Sequence, residues 1–301
     1  HASRHTRYRL ILAGGLALFG LLAGLAWLAQ DARLAFATLV CGALIGPLVY
    51  VMYLAESGIL ATRPRQLVST FVIGAGLGVP LALFIERHAG FAPGNMGLLL
   101  IVAVVEELSK IMAVFWLLRQ RESRFEMDGI VFGAAAGMGF AALETVLYGI
   151  PQVQAIDVLL FTLGLRALLS PFGHGTWTAI LAAAIWHGKA ERSVWRQIAE
   201  VGVAFALVVG LHMMWDWQPL GGLLNLIVML AVGIAGILVL RSLVHQAASE
   251  EALALVSLNP EVLDRASSNK PTLCRACGNV SPPGTHYCAR CGGALRARRT
   301  T

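Results

Sequence analysis

The sequence predicts an all-α polytopic membrane protein of about eight transmembrane helices, followed by a small cysteine-rich domain. Three observations support this fold class. Of the 301 residues, 57% are hydrophobic and 13% are charged, with a mean hydropathy of +0.71, which excludes an ordinary soluble domain. Long apolar runs recur along the chain as far as residue 240. Beyond residue 270, two CxxC pairs follow in a polar segment.

Eight segments are long and apolar enough to cross a bilayer as helices. They run over residues 9–29, 34–55, 67–86, 97–118, 128–150, 169–188, 198–217 and 220–240. The sixth is the least regular, because the apolar stretch 155–170 before it carries Arg166 and is followed by Pro171. This stretch is either a surface helix or the first half of one long kinked helix, and Arg166 is expected to be structural. In the fifth, the small residues of 133–143 predict close contact with a neighbouring backbone.

Basic residues predict the orientation of the bundle. With the N-terminus inside, only Arg33 and Arg87 fall in loops on the outer side, and the other basic residues beside the spans are cytoplasmic. The cytoplasmic set is Arg4, Arg7, Arg9, Arg63, Arg65, Arg119, Arg121, Arg124, Lys189, Arg192, Arg196 and Arg241. We therefore expect a multi-pass protein of the plasma membrane with both termini in the cytoplasm. Because topology accounts for the net charge of +6, nucleic acid is not an expected partner.

The fourth span carries three charges within an apolar helix. From Leu98 to Leu118 it reads LLLIVAVVEELSKIMAVFWLL, with Glu106, Glu107 and Lys110 near the middle. Three charges at the bilayer centre cost roughly 8 to 10 kcal/mol on the insertion scale, whereas the apolar neighbours contribute only about 4 to 8 kcal/mol. Ionisable residues inside a membrane usually face a bundle interior or a cavity, so this run is the first candidate for a functional site.

The fifth and seventh spans supply polar partners for this run. Glu144 and Tyr148 lie four residues apart in the fifth span, as do His212 and Asp216 in the seventh, so each pair shares one helix face. At ~1.5 Å per residue, Glu106 lies at a depth similar to that of Glu144 and His212. We therefore expect these side chains to meet in one cavity, in the outer half or near the middle of the membrane.

Such a set of side chains can activate water. A carboxylate with a like charge beside it, as in the pair Glu106 and Glu107, can act as a general base near neutral pH. Alternatively, a divalent metal can bind here, or an oxyanion can be stabilised, and the sequence leaves both open. The candidate ligands of that metal are Glu107, Glu144, His212 and Asp216. Three further residues at compatible depths are possible members of the site: Lys110, Tyr148 and His174. The sequence contains no HExxH zinc-protease motif.

The C-terminal cysteines predict a zinc ribbon. Cys274, Cys277, Cys288 and Cys291 form two CxxC pairs separated by ten residues, the usual ribbon spacing, and in a reducing cytoplasm a disulfide is the poorer alternative. We expect structural zinc here, separate from the intramembrane site, in a recognition or regulatory module. A cytoplasmic protein is the preferred partner, and the motif leaves anionic lipid and nucleic acid open as alternatives. The expected organisation is a transmembrane helical domain, a helical and polar linker and the ribbon, over residues 1–245, 246–272 and 273–295 respectively.

Three motifs in the spans resemble those of the PrsW family of intramembrane proteases. EELSK at 106–110 is similar to the family's EExxK motif, LETVLY at 143–148 to its FExxxY motif, and HMMWD at 212–216 to its HxxxD motif. The resemblance covers roughly residues 97–217. Leu143 stands where the family pattern has Phe, an apolar exchange that concerns packing beside Glu144 more than chemistry.

The resemblance implies a protease-like domain over residues 1–245 with an all-helical core related to the CAAX prenyl endopeptidases and Abi proteins. It implies a site-1 type of endopeptidase that cuts membrane-anchored anti-sigma factors near the outer face of the membrane. The residues it makes catalytic are Glu106, Glu107, Glu144, His212 and Asp216. The motifs leave open whether a metal or a glutamate alone activates water. Two other functions stay open, a proton-coupled transporter and a membrane scaffold for the ribbon, although no internal repeat of the kind found in transporters is evident.

Overall fold

The computed structural model describes residues 7–59, 64–89, 95–118, 125–188, 193–217, 221–258, 272–274, 277–281, 288 and 290–291. Nearly all the described residues up to 258 are helical, since in a bilayer each backbone N–H and C=O group must find a partner within the protein. The α-helices are α1 Arg7–Ala29, α2 Ala32–Ser57, α3 Pro64–Ile73, α4 Val79–Ala89, α5 Met96–Leu118, α6 Glu126–Gly149, α7 Ile156–Leu169, α8 His174–Gly188, α9 Val194–Asp216 and α10 Gly222–Leu258.

The described helices confirm an all-α polytopic membrane protein. Within the described residues, seven helical stretches are long and apolar enough to cross a membrane. They are Arg7–Ala29, Ala32–Ser57, Pro64–Phe84, Glu126–Gln152, Ile156–His187, Val194–Asp216 and Gly222–Ala254. The charged α5 is also 23 residues long and packs against α4, α6 and α9 within the bundle. Together with α5, these stretches correspond to the eight spans predicted from the sequence.

Two of the spans are less regular than one straight helix. The third span consists of α3 and α4 joined by a π-helical turn over Gly74–Gly78. This turn ends two residues before Pro80, which has no N–H group for the helical ladder. The sixth span is the long kinked helix, in which a 3-10 turn over Ser170–Phe172 containing Pro171 separates α7 from α8. The last helix, α10, continues without a break past residue 240 to Leu258 and crosses the expected domain limit at residue 245.

The central helix of the bundle is α6, which is buried along most of its length and packs on α2, α3 and α8. Its small residues permit this packing, as the sequence indicated. A Cβ atom at Gly137 would overlap the backbone oxygen of His174 at the start of α8, and one at Gly139 would overlap the backbone oxygen of Phe71 in α3. Close approach of α6 to α8 therefore fixes the position of His174.

The cysteine-rich region forms a small two-stranded unit. Strands β1 Thr272–Leu273 and β2 Val280–Ser281 pair antiparallel. Gly278, with φ of +68°, adopts the left-handed conformation after the first CxxC pair, and its N–H donates to the carbonyl oxygen of Cys274 at 2.8 Å. The hydroxyl of Ser249 in α10 lies 3.1 Å from the Gly278 carbonyl oxygen, so the ribbon contacts the extension of α10.

Several sequence-based expectations fall outside the described residues. They concern most of the linker, at 259–271, parts of the ribbon at 275–276, 282–287, 289 and 292–295, and seven of the basic residues used for orientation. Those seven are Arg4, Arg63, Arg119, Arg121, Arg124, Lys189 and Arg192.

Candidate active site

Lys110 lies at the centre of the polar cluster and its side chain is 0% exposed. Its Nζ atom donates to Oε2 of Glu106 and to Oε1 of Glu107, each at 2.9 Å, because both acids lie about one turn before it on α5. The same Nζ atom is 2.8 Å from Nδ1 of His174 at the start of α8. The three charges that make α5 unfavourable as an isolated span are therefore paired with one another inside the bundle.

His212 lies on α9, and a carboxylate of α5 contacts the far side of its ring. Its Nδ1 atom lies 2.9 Å from Oε1 of Glu107, while its Nε2 atom lies 3.6 Å from Oε2 of Glu106 and 3.3 Å from Oδ2 of Asp216. The Trp177 ring stacks on the imidazole at a centroid distance of 4.8 Å. Packing and the Glu107 carboxylate thus fix the orientation of the ring, and Nε2 is directed at two other carboxylates.

His174 has a corresponding arrangement with Glu144 of α6. Its Nε2 atom is 3.2 Å from Oε2 of Glu144, and its Nδ1 atom is 3.9 Å from Oε2 of Glu106. Arg166 of α7 donates to the same Glu144 oxygen at 2.5 Å and to Oγ1 of Thr145 at 2.7 Å. In both histidines, one ring nitrogen contacts a carboxylate on another helix. The second nitrogen lies 3.6 Å from Oε2 of Glu106 in His212 and 3.9 Å from it in His174, where Nζ of Lys110 is the nearer partner at 2.8 Å.

A cavity of about 880 Å³ gives access to this cluster. Its polar wall includes Glu106, Glu144, His174, His212 and Asp216, whereas Glu107 and Lys110 do not line it. The rest of the wall is mainly apolar and comes from α2, α4, α5 and α7. The volume and the small number of convergent polar groups are typical of a ligand-binding site.

The side chains around Glu106 fit a metal ion. Glu106, His174 and His212 each offer one ligand atom, and these atoms lie within 4.8 Å of one another. One carboxylate and two imidazoles form a ligand set of catalytic zinc sites. If the Nδ1–H of a neutral His212 donates to Glu107, its Nε2 presents a lone pair to the oxygens of Glu106 and Asp216. A lone pair on Nε2 that faces carboxylate oxygens is unfavourable. Either a second proton on the ring, at Nε2, or a cation between these atoms removes the repulsion.

The ligand set suggested by the sequence differs from this group. It comprised Glu107, Glu144, His212 and Asp216, and only His212 belongs to both sets. Glu107 is 0% exposed and contacts Lys110, His212 and Thr178, while Glu144 contacts His174 and Arg166. Both acids therefore lie behind the two imidazoles. Asp216, whose side chain is 33% exposed, lies at the edge of the cluster.

The structure brings the predicted site residues into one connected group. They are Glu106, Glu107, Lys110, Glu144, Tyr148, His174, His212 and Asp216. Tyr148 is the most exposed of them, at 58%, and its ring lies 5.0 Å from the Arg166 guanidinium.

Two contributors were not expected from the sequence. Arg166 was interpreted as structural but lines the cavity and contacts Glu144. As a charge within an apolar stretch it satisfied the criterion that identified the α5 residues. Trp177, which stacks on His212, has no sequence signal that separates it from any other tryptophan of a membrane helix.

The four cysteines form a second candidate metal site. One sulfur from each lies within 4.8 Å of the others, and the pairs Cys274–Cys291 and Cys277–Cys288 have Sγ–Sγ distances of 3.6 and 3.5 Å. Two thiolates at about 2.3 Å from a tetrahedral zinc would be about 3.8 Å apart. Burial raises the pKa of the Cys277 thiol to about 12. A cation bound among the four sulfurs would favour the thiolate form that zinc ligation needs.

Comparison with known proteins identifies one family. The model of the PrsW family intramembrane metalloprotease matches residues 62–243. A protein named Protease PrsW from Geobacillus kaustophilus is 29% identical over 116 residues, which are 38% of this chain and 48% of that protein. Another Protease PrsW, from Halalkalibacterium halodurans, is 30% identical over 158 residues, which are 50% of this chain and 67% of that protein. The chain thus spans about half of the first relative and two thirds of the second. No solved structure matches the chain.

Proposed function

The chain belongs to the PrsW family of intramembrane metalloproteases, and from this membership we propose that it hydrolyses a peptide bond of a membrane-anchored protein. The observation that carries the proposal is the convergence of two carboxylate–histidine pairs on one cavity-lining carboxylate. Glu107 contacts His212 and Glu144 contacts His174, and the second nitrogen of each ring lies 3.6 to 3.9 Å from Oε2 of Glu106, with Nζ of Lys110 also beside that of His174. Such pairs fix the orientation of an imidazole at a catalytic centre.

A divalent metal would be held by Glu106, His174 and His212. When bound, it would lower the proton affinity of a water and polarise the scissile carbonyl group. Glu107 and Glu144 would orient the two imidazoles without touching the ion. Asp216, beside Nε2 of His212, adds negative charge that favours a cation at this position.

Glu106 and Glu107 have different roles in this proposal. Glu106 lines the cavity and, in the alternative without a bound metal, can accept a proton from the attacking water as the water oxygen bonds to the carbonyl carbon. The same proton then passes to the leaving amine as the C–N bond breaks. Glu107 is sealed from the cavity and acts through His212 and Lys110. Arg166 presents N–H donors at the cavity wall, which can stabilise the developing oxyanion.

The substrate is a single-span membrane protein of the anti-sigma-factor type, cut near the outer face of the plasma membrane. The cavity lies among the C-terminal ends of α4, α6 and α9, which the basic-residue distribution places on the outer side. The same distribution supports cytoplasmic N- and C-termini. The four cysteines bind structural zinc, and the resulting ribbon is available to bind a cytoplasmic protein.

Cleavage of tagged single-span membrane proteins, co-expressed with the chain, tests this function. A panel that includes anti-sigma-factor-like proteins should yield a defined fragment with the wild-type chain. Glu106→Gln should reduce the cleavage rate by about 10²- to 10⁴-fold, the usual contribution of a general base. Glu107→Gln should reduce it by about 10- to 100-fold, as for a residue that orients a metal-binding histidine.

Asp157→Asn is the matched control, since it makes the same acid-to-amide change at an exposed position in the first turn of α7, away from the cavity. It should cleave like the wild type. Equal fragment yields from the wild type and Glu106→Gln, at equal expression, would refute the proposed function.

A further inference from the structure

Arg87 is the charged cavity-lining side chain that has no ion pair with any residue of the described segments. The other charged groups in the wall are engaged: Glu106 with Lys110, Glu144 with Arg166, and Asp216 with His212. Arg87 is exposed and lies in the last turn of α4. The wall of the cavity therefore contains one cation whose charge is not balanced within the described part of the chain.

The position of Arg87 on α4 directs it toward the cavity. Leu83, four residues earlier and so on the same face of the helix, lines the same cavity. On the neighbouring helix α5, Leu99 and Val102 line the wall between this end of the cavity and Glu106. A peptide extending from the catalytic centre toward this end would cross an apolar surface and then meet a guanidinium group.

Helix geometry gives the distance between Arg87 and the centre along the bundle. Glu106 lies ten residues inside α5, which begins at Met96, or about 15 Å from that end. Arg87 lies two residues from the end of α4 at Ala89, or about 3 Å. Since α4 and α5 are consecutive neighbours that run in opposite directions, the two residues differ in height by roughly 12 Å. An extended peptide covers that distance in about three to four residues, at ~3.3 Å each.

We propose that Arg87 determines substrate specificity by binding an Asp or Glu side chain of the substrate. That side chain would lie about three to four residues from the scissile bond, on the side that leaves the membrane at the Arg87 end of the cavity. A guanidinium group suits this task because its planar N–H groups can bind a carboxylate in a bidentate manner. The inference rests on the proposed protease function and adds the chemistry by which the cavity selects its substrate.

A charge scan of a cleaved substrate tests the role of Arg87. The full-length chain is reconstituted in phosphatidylcholine vesicles with a single-span protein that the wild type cuts. Glu, Gln or Lys is then placed singly at positions two to six from the scissile bond, toward the Arg87 end. We expect kcat/KM for the substrate with Glu at position three or four to exceed that for Lys there by about 10-fold or more. Arg87→Glu should reverse this preference.

Arg33→Glu is the matched control, because Arg33 is the other basic residue expected on the outer side, is exposed and does not line the cavity. It should keep the wild-type preference. The proposal is overturned if no position shows a charge preference, or if Arg87→Glu lowers cleavage of the Glu, Gln and Lys substrates equally. It is also overturned if the Arg87→Glu effect depends on added phosphatidylglycerol instead of on the substrate's charge, since Arg87 would then bind lipid phosphate.

Glu106→Gln distinguishes a failure of the proposed role of Arg87 from a failure of the proposed protease function on which that role rests. If Glu106→Gln abolishes cleavage of every substrate while Arg87→Glu changes no preference, the protease function stands and the role of Arg87 is refuted. If Glu106→Gln cleaves like the wild type, the proposed function fails and the role of Arg87 falls with it.

Discussion

Lys110 is a fully buried cation that joins two acids of its own helix to a histidine of α8. Removing one partner of a buried ion pair leaves an uncompensated charge, which is more destabilising than the intact pair is stabilising. We therefore expect Lys110→Met to lower the free energy of unfolding by about 3 to 5 kcal/mol, since Glu106 and Glu107 would then face each other without a cation.

A second substitution tests whether this loss arises from charge. In Lys110→Met/Glu107→Gln one of the two uncompensated acids is gone, so the double variant should be more stable than the sum of the single effects predicts, by at least about 1 kcal/mol. Reversible unfolding in mixed micelles measures the coupling. The pair Lys110→Met/Asp157→Asn should be additive, and additivity in both pairs would contradict the assigned role of Lys110.

At the residue level, much of the cluster could be predicted from the sequence. A spacing of four residues identified the pairs on each helix, and depth identified which pairs could meet. The sequence could not assign different surroundings to Glu106 and Glu107, because these depend on where α8 and α9 place Thr178 and His212. Arg87 and Arg166 were not predicted as cavity residues, since the wall to which each belongs is set by the packing of α4 and α7.

At the level of elements, the contact between α6 and α8 sets the position of His174. Gly137 lies directly against the His174 backbone, so Gly137→Ala should push the start of α8 away from α6. Overpacking of this kind typically destabilises by about 1 to 3 kcal/mol. We also expect slower substrate cleavage, because His174 would move from Glu106 and Glu144. Thermal unfolding in detergent and the cleavage assay measure the two effects.

Gly164→Ala provides the comparison, because no atom of the described residues lies within 4 Å of a Cβ built at Gly164 in α7. Alanine is the better helix former, so this variant should be as stable as the wild type or slightly more stable. If Gly137→Ala behaved like Gly164→Ala, close packing of α6 on α8 would not control the site.

Helix irregularities were harder to predict than helix existence. In a soluble helix, polar residues mark the exposed face, but in a bilayer the lipid-facing and protein-facing sides of a span are both apolar. The periodicity that would reveal the π-helical turn at Gly74–Gly78 is therefore missing from the sequence. Pro171 did indicate a break in the sixth span, yet only the contacts of α7 with α2 and of α8 with α6 show that one kinked helix forms there.

At the level of the whole molecule, α10 links the membrane bundle to the ribbon. Met229, near one end of this helix, lines the cavity, and Ser249, near the other end, contacts Gly278 of the ribbon. The sequence predicted both regions and a helical segment between them. It could not predict that the helix is continuous through Leu258, because a helix-forming composition is also typical of detached linker helices.

The ribbon and the intramembrane site should hold metal independently. Cys277→Ser removes one of four thiolate ligands, so the purified chain should lose about one zinc equivalent, measured by elemental analysis. Its thermal unfolding in detergent should stay unchanged, because the described ribbon contributes little apolar surface to the helical core. Cys41→Ser makes the same change in α2, outside the cysteine cluster, and should retain all the metal. Loss of all bound metal in Cys277→Ser would contradict a second metal in the membrane. A reporter fused after Leu258 that appears on the outer side would contradict the reduced ribbon, since thiols there would oxidise.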